Sequence, residues 1–229
     1  MDARELLASP QVAPSILSAD FARLGEQVDA VMAAGARVIH VDVMDGHFVP
    51  PITIGDLVAR SIEEQVHGAG GILDVHLMIE SPERQIEAFA KAGADVITVH
   101  LEATPHAHYA LKAVRDAGCL AGLAICPATS AGLVVEVTHD IDVLLCMTVN
   151  PGWGGQPFIE HSIAKLERLK RMLPPEVAIE VDGGIDAGTA GPCAAAGATA
   201  FVAGTAVFGA PDPGAAVQEI AAVIGVARG

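Results

Sequence analysis

Eight short apolar runs, separated by segments of helical periodicity, are the feature that most limits what this chain can fold into. The runs are QVAPSIL, ARVIHVDVM, ILDVHLM, DVITVHL, CLAGLAI, DVLLCMTV, VAIEVDGG and TAFVAG. Between them, segments such as DFARLGEQVDAVMAAGA, SPERQIEAFAKAGA, PHAHYALKAVRDAG and HSIAKLERLKRMLP repeat apolar residues at helical spacing. Three joins share one pattern: AAGARVIHV, KAGADVITVH and AAGATAFVAG place Gly35, Gly93 and Gly197 where a helix needs a left-handed cap before the next strand. Ser81-Pro82-Glu83 reads as an N-cap followed by proline in the first helical turn. Eight strand–helix units in 229 residues predict an α/β fold, a (β/α)8 TIM barrel forming a single domain over residues 1–229. A doubly wound open sheet uses the same alternation, but it usually carries a glycine-rich fingerprint after its first strand. Here the first strand ends in PSILSADF, and the glycine-rich turns follow strands six, seven and eight.

Composition narrows the partners. The chain is 52% hydrophobic but only 3% aromatic, so its core is built from Ala, Val, Ile and Leu. With 28 acidic and 13 basic residues its formal net charge is −15. Such a surface repels nucleic acid and anionic lipid, so neither is an expected partner. An anionic substrate has to be held by local devices such as backbone amides. No apolar run reaches the roughly 20 residues of a membrane span, and MDARELLASPQ lacks the regions of a secretory signal. Cys119, Cys126, Cys146 and Cys193 form no C-x-x-C pair and read as reduced thiols in apolar surroundings, which fits a cytoplasmic protein.

The polar residues inside these apolar strands carry the chemistry. Side chains at i, i+2 and i+4 of a strand share a face. His40, Asp42 and Met44 therefore point one way in HVDVMDG, and Val41, Val43 and Asp45 the other. Strand three repeats the arrangement with Asp74, His76 and Met78; strand seven puts Glu180 and Asp182 on one face; Met147 lies near the end of strand six. Ionised groups inside a barrel are costly unless paired or bound to metal. His40, Asp42, His76 and Asp182 make a plausible N2O2 ligand set, one that suits Zn²⁺, Fe²⁺, Mn²⁺ or Co²⁺ better than Ca²⁺ or Mg²⁺. Taken one strand at a time, a metal-free buried His–Asp pair is the simpler reading. Recurrence on two strands together with Asp182 favours the metal.

Glycine turns supply the anion site. NPGWGGQPF (Asn150 to Phe158), DGG (Asp182 to Gly184) and AGTAVF (Ala203 to Phe208) follow strands six, seven and eight. Glycine lets backbone N–H groups approach and ring an anion, and the late loops of a barrel are a usual place for phosphate. One such loop would read as an ordinary tight turn; three point to phosphate. Asp45 is expected to fix the DGHFVP turn through its side chain. His67, His106, His108, His139 and His161 are expected at the surface without partners. Glu102 can reach the rim, cap a helix or face solvent.

Together, APSILSADF, HVDVMDGHFVP, DVHLMI, MTVNPGWGGQPFI, EVDGGI and VAGTAVF resemble, in order and spacing, the motifs of the ribulose-phosphate 3-epimerase family over roughly residues 12 to 210. The resemblance implies a (β/α)8 barrel, one divalent metal ion, a sugar-phosphate substrate, a homo-oligomer and the interconversion of D-ribulose 5-phosphate and D-xylulose 5-phosphate, a step of the pentose phosphate pathway. It puts the metal ligands on His40, Asp42, His76 and Asp182, and the acid–base pair on Asp42 and Asp182. It implies substrate contacts at Ser15, His76, Met44, Met78 and Met147, and phosphate-binding loops at Gly152, Trp153, Gly154, Gly155, Gly183, Gly184, Gly204 and Thr205. The chain departs from the family pattern at four positions. Pro51 and Cys126 stand where asparagine is usual, Trp153 where phenylalanine is, and Thr205 where serine is. Rival readings are a 3-epimerase of another ketose phosphate such as D-allulose 6-phosphate, a non-catalytic sugar-phosphate-binding barrel, and a nucleotide decarboxylase. The decarboxylase would need a lysine in the strand-end cluster, and strand two offers none.

Overall fold

A computed structural model describes residues 2–226. Eight strands, β1 (Gln11–Pro14), β2 (Val38–Met44), β3 (Ile72–Met78), β4 (Val96–His100), β5 (Leu120–Ile125), β6 (Val143–Met147), β7 (Ala178–Asp182) and β8 (Ala200–Ala203), fall inside the eight apolar runs. They form one parallel sheet in the order β1-β8-β7-β6-β5-β4-β3-β2. Between β1 and β2 the ring is completed by a single parallel bridge, Ser15 to His40. This makes the protein a single-domain (β/α)8 barrel, and the open sheet is ruled out. The seam where the ring closes lies beside two of the sequence-predicted site residues.

The nine α-helices found among the described residues are α1 (Ala3–Leu7), α2 (Leu24–Ala33), α3 (Asp56–Gly68), α4 (Ile86–Lys91), α5 (Ala107–Asp116), α6 (Ser162–Met172), α7 (Ala190–Ala195), α8 (Thr205–Phe208) and α9 (Pro213–Ile224). The longer ones bury one stripe, as with Ala59, Ile62 and Val66 of α3. Gly35, Gly93 and Gly197 do adopt positive φ, at 110°, 94° and 108°. The fifth unit is the exception: β5 is followed by a 3-10 segment, Ala131–Val137, instead of an α-helix. Gly132 and the β-branched Val134, Val135 and Val137 make this stretch a poor α-helix former. Ser81 also departs from expectation. It sits in the left-handed region at φ 50° and makes no side-chain cap bond, and the turn it opens, Pro82–Arg84, is 3-10.

Two apolar regions flank the strands. Outward residues such as Ile39, Val41 and Val43 pack under the helices in the main core. Inside the barrel, Ala13, Val38, Ile72, Val96, Val143, Ala178, Ala200 and Val202 form a separate cluster closed by Leu6 and Leu7 of α1. The N-terminal segment, to which the sequence reading gave no role, is thus a plug for the barrel floor. Arg4 ties it down with a 2.7 Å ion pair to the buried carboxylate of Asp142.

His67 is better connected than the sequence indicates. It bridges Glu63 at 2.9 Å and Asp95 at 2.8 Å, so α3 is joined to the start of β4. Three cysteines are buried as expected, but Cys126 is half-buried beside polar groups. No helix among the described residues is long and apolar enough to cross a membrane.

The barrel interior also leaves one position no room for a side chain. A Cβ on Gly122 of β5 would fall 2.0 Å from Thr98 Oγ1 and 2.9 Å from the Thr98 backbone. Gly122→Ala is therefore expected to destabilise the fold by about 1–3 kcal/mol or more, read from urea unfolding. An unchanged midpoint would show that β4 and β5 pack less tightly than this.

Candidate active site

Strand register brings the polar residues together. β2 and β3 pair so that His40 lies opposite Asp74, Asp42 opposite His76, and Met44 opposite Met78. β6 and β7 place Met147 opposite Asp182. These side chains point into the barrel above the apolar floor: His40 and Asp74 lie below Asp42 and His76, with Met44 and Met78 above them, and Glu180 lies below Asp182, which is level with Met147. The expected four, His40, Asp42, His76 and Asp182, do converge, with one ligand atom from each within 4.8 Å of the others.

The hydrogen bonds dictate which ring nitrogens carry protons. His40 Nδ1 lies 2.6 Å from Asp74 Oδ2; a carboxylate accepts, so Nδ1 donates and Nε2 is left with its lone pair. His40 Nε2 is buried and has no hydrogen-bond partner, yet it sits 3.3 Å from Asp42 Oδ1. On the other side, Glu102 accepts from the Cys126 amide at 2.8 Å, from the Thr129 hydroxyl, and from His100 Nδ1 at 3.2 Å. His100 Nε2 therefore has only a lone pair, and it accepts from His76 Nε2 at 2.8 Å. That leaves the lone pair of His76 Nδ1 facing Asp42 Oδ1 at 3.1 Å and Asp182 Oδ2 at 3.7 Å.

Two imidazole lone pairs thus point at one carboxylate oxygen, an arrangement that positive charge between them would relieve. A tetrahedral ion bonded to nitrogen and oxygen at about 2.0–2.2 Å sets those atoms roughly 3.4 Å apart, close to the separations here. The four residues fit a divalent metal, and Asp74 and His100 orient the two imidazoles as such ligands are usually oriented.

Without that cation, protons answer for it. Burial alone would lower His40, but the charges of Asp42 and Asp74 lift it well above the ordinary histidine range. Burial alone would raise Asp42, but His40 and His76 hold it well below the ordinary carboxylate range. For Asp182, burial and the neighbouring Asp42 charge outweigh the pull of His40 and push it up to about 8. Burial and Asp74 likewise push Glu180 well above its usual range. Burial and charge thus push the two rim aspartates in opposite directions, Asp42 down and Asp182 up.

Asp42 and Asp182 open into a cavity of about 390 Å³. Its walls include Ser15, Met44, Met78, Met147, Gly152 to Gly155, Gly183, Gly184, Gly204 and Thr205. Ser15 donates to Asp42 Oδ2 at 2.6 Å. Gly183 and Gly184 adopt φ of 117° and 65°, and a Cβ on Gly184 would meet the Phe158 amide nitrogen at 2.7 Å. The loops after β6 and β7 thus lie against each other through bare backbone. Trp153 stands at the mouth, 55% exposed. His40 and His76 are not walls; they lie fully buried beneath the carboxylates. Asp45 fixes its turn as expected, accepting from His47 and Phe48, and it also accepts from Glu80 of the next loop. Pro51 closes the same turn, its carbonyl accepting from Gly46 at 2.8 Å.

The sequence reading placed Asp74 and Glu180 on the inward face without a role, left Glu102 open and passed over His100. His100 could have been found by the period-two rule applied from Thr98. Glu102 could not, because its partners come from the loop after β5.

A barrel that gathers imidazoles and carboxylates at the C-terminal strand ends, under a cavity ringed by glycine loops, is the architecture of a barrel enzyme. Sequence comparison identifies which kind. Residues 11–208 match the model of the ribulose-phosphate 3 epimerase family. Ribulose-phosphate 3-epimerase of Bacillus subtilis is 48% identical over 214 residues, covering 92% of this chain and 97% of its own. That of Escherichia coli K12 is 45% identical, covering 91% and 93%. Among solved structures, 3-hexulose-6-phosphate synthase from Salmonella typhimurium superposes with a TM-score of 0.70 at 17% identity, covering 93% of this chain and 98% of that one, a likeness of fold alone. The chain belongs to the ribulose-phosphate 3-epimerase family and is an enzyme.

If Asp74 holds His40 in its ligating tautomer, Asp74→Asn should weaken metal binding about 10–100-fold. Equilibrium dialysis of the chelator-stripped protein against Zn²⁺ measures this. An unchanged affinity would remove Asp74 from the site.

Proposed function

We propose that the protein inverts C3 of a ketose phosphate, interconverting D-ribulose 5-phosphate and D-xylulose 5-phosphate. The observation that carries this reading is the pair of rim aspartates, Asp42 from β2 and Asp182 from β7, both facing one cavity. Epimerisation needs a base on one side of the reacting carbon and an acid on the other. Asp42, ionised, takes the C3 proton; the C–H electrons move toward the C2 carbonyl, giving an enediolate. Asp182, protonated, delivers a proton to the opposite face of C3. The reverse reaction exchanges their roles. No redox step is involved, so the proposal calls for no nicotinamide or flavin.

His40 Nε2, Asp42, His76 Nδ1 and Asp182 would hold one divalent ion of the Zn²⁺, Fe²⁺, Mn²⁺ or Co²⁺ kind. When bound, such an ion supplies positive charge beside the substrate oxygens as negative charge develops there. Ser15 keeps Asp42 oriented through its 2.6 Å bond. Met44, Met78 and Met147 give the planar carbon skeleton a polarisable, aprotic wall. The backbone around Gly183, Gly184, Gly204 and Thr205, with the Gly152–Gly155 loop over it, offers N–H groups to the phosphate. This reconciles an anionic substrate with a chain of net charge −15.

Asp182→Asn tests the acid–base assignment. Conversion of D-ribulose 5-phosphate to D-xylulose 5-phosphate, followed by NMR, is expected to fall by about 10²-fold or more, because no acid is left on the opposite face of C3. Near wild-type conversion would sink the assignment.

A further inference from the structure

The rim between β4 and β5 holds a second group of donors that the proposed reaction does not use. His100, Glu102 and Cys126 each bring one ligand atom within 4.8 Å of the other two. His100 Nδ1 is 3.2 Å from Glu102 Oε2 and 3.6 Å from Cys126 Sγ. A tetrahedral zinc, with bonds of about 2.0–2.1 Å to nitrogen and oxygen and about 2.3 Å to sulfur, sets nitrogen about 3.4 Å from oxygen and about 3.6 Å from sulfur. The donors already stand at that spacing. The Cys126 amide and the Thr129 hydroxyl fix Glu102 Oε1, which leaves Oε2 turned to the group. Cys126 and Glu102 both reach solvent, so a cation has a path in and a fourth position for water.

We propose that His100, Glu102 and Cys126 form a second cation site, selective for thiophilic divalent ions such as Zn²⁺ and Co²⁺, whose filling disarms His76 as a ligand at the first. The coupling follows from proton counting, since a neutral imidazole carries one ring proton. With the trio empty, His100 Nδ1 donates to Glu102, His76 Nε2 donates to His100 Nε2, and His76 Nδ1 is free to bind metal. With a cation on His100 Nδ1, that ring's proton moves to Nε2 and donates to His76 Nε2 across the 2.8 Å contact. His76 then carries its own proton on Nδ1, the atom that faces Asp42 and Asp182. Each ring keeps one proton, and the Cys126 thiol loses its proton to solvent as the sulfur–metal bond forms. Burial and the Glu102 charge push that thiol up to about 12, so hard ions such as Mg²⁺, which do not favour sulfur, leave the trio alone.

The exclusion rests on the metal site proposed above; the second site itself does not. Chelator-stripped protein titrated with Co²⁺ alone separates them. A near-ultraviolet thiolate-to-cobalt charge-transfer band reports Cys126, because no other cysteine joins a ligand cluster among the described residues. Visible bands without charge transfer report the His–Asp set, and equilibrium dialysis counts the ions. Because an ion at either site excludes the other, the charge-transfer band and the first signature are expected to rise in a fixed ratio through the titration and to saturate together at one ion per chain. Cys126→Ser and Cys126→Asn should both keep the first signature and their thermal midpoints and lose the charge-transfer band. No charge-transfer band in the wild-type protein, or one that persists in both variants, overturns the second site. Two ions per chain with both signatures intact overturn the exclusion. A charge-transfer band with no first signature in any variant overturns the exclusion and the metal reading together.

Discussion

The site depends on one contact pattern: the lone pairs of His40 Nε2 and His76 Nδ1 both face Asp42 Oδ1, at 3.3 and 3.1 Å. Neither nitrogen can donate while its ring's proton is committed elsewhere, to Asp74 in one case and His100 in the other. A buried carboxylate flanked by two lone pairs is unfavourable until positive charge enters. A proton can supply that charge, as the raised His40 shows. A divalent ion would supply it better, since it would also take in Asp182. The fit to a metal, the tautomers of three histidines and the opposite shifts of the two aspartates follow from this one electrostatic demand.

The fold delivers the pattern through strand register. Parallel pairing of β2 with β3 sets His40 beside Asp74 and Asp42 beside His76, so each histidine meets a carboxylate across the ladder. The Ser15–His40 bridge closes the ring at the same level. Below, Leu6 and Leu7 of α1 seal the floor with aliphatic side chains, which keeps water from the polar layer and strengthens every interaction in it. Above, Gly184 lets the loop after β7 meet the loop after β6 through bare backbone.

Much of this is legible in the sequence, for identifiable reasons. A strand's period of two is unambiguous, so HVDVMDG and LDVHLM disclose both the inward face and four of its polar residues. Helix-ending glycines at 35, 93 and 197 mark where strands begin. Contacts made between distant segments are less legible. Glu102 takes its meaning from Thr129 and the Cys126 amide, His67 from Asp95, and α1 from the floor it covers; no local pattern announces any of them. Ser81 shows the limit of local rules: a good N-cap residue ahead of proline is held in a left-handed turn, and the cap bond is never made.

The most direct test of the central claim is where a metal settles. Crystals grown with Mn²⁺, a hard ion that avoids the thiol of Cys126, can be measured for anomalous scattering. The account requires one strong peak within bonding distance of His40 Nε2, Asp42, His76 Nδ1 and Asp182, with His40 Nδ1 still bonded to Asp74. A map at saturating Mn²⁺ with no peak there, and the four side chains closed on one another through hydrogen bonds alone, would contradict it.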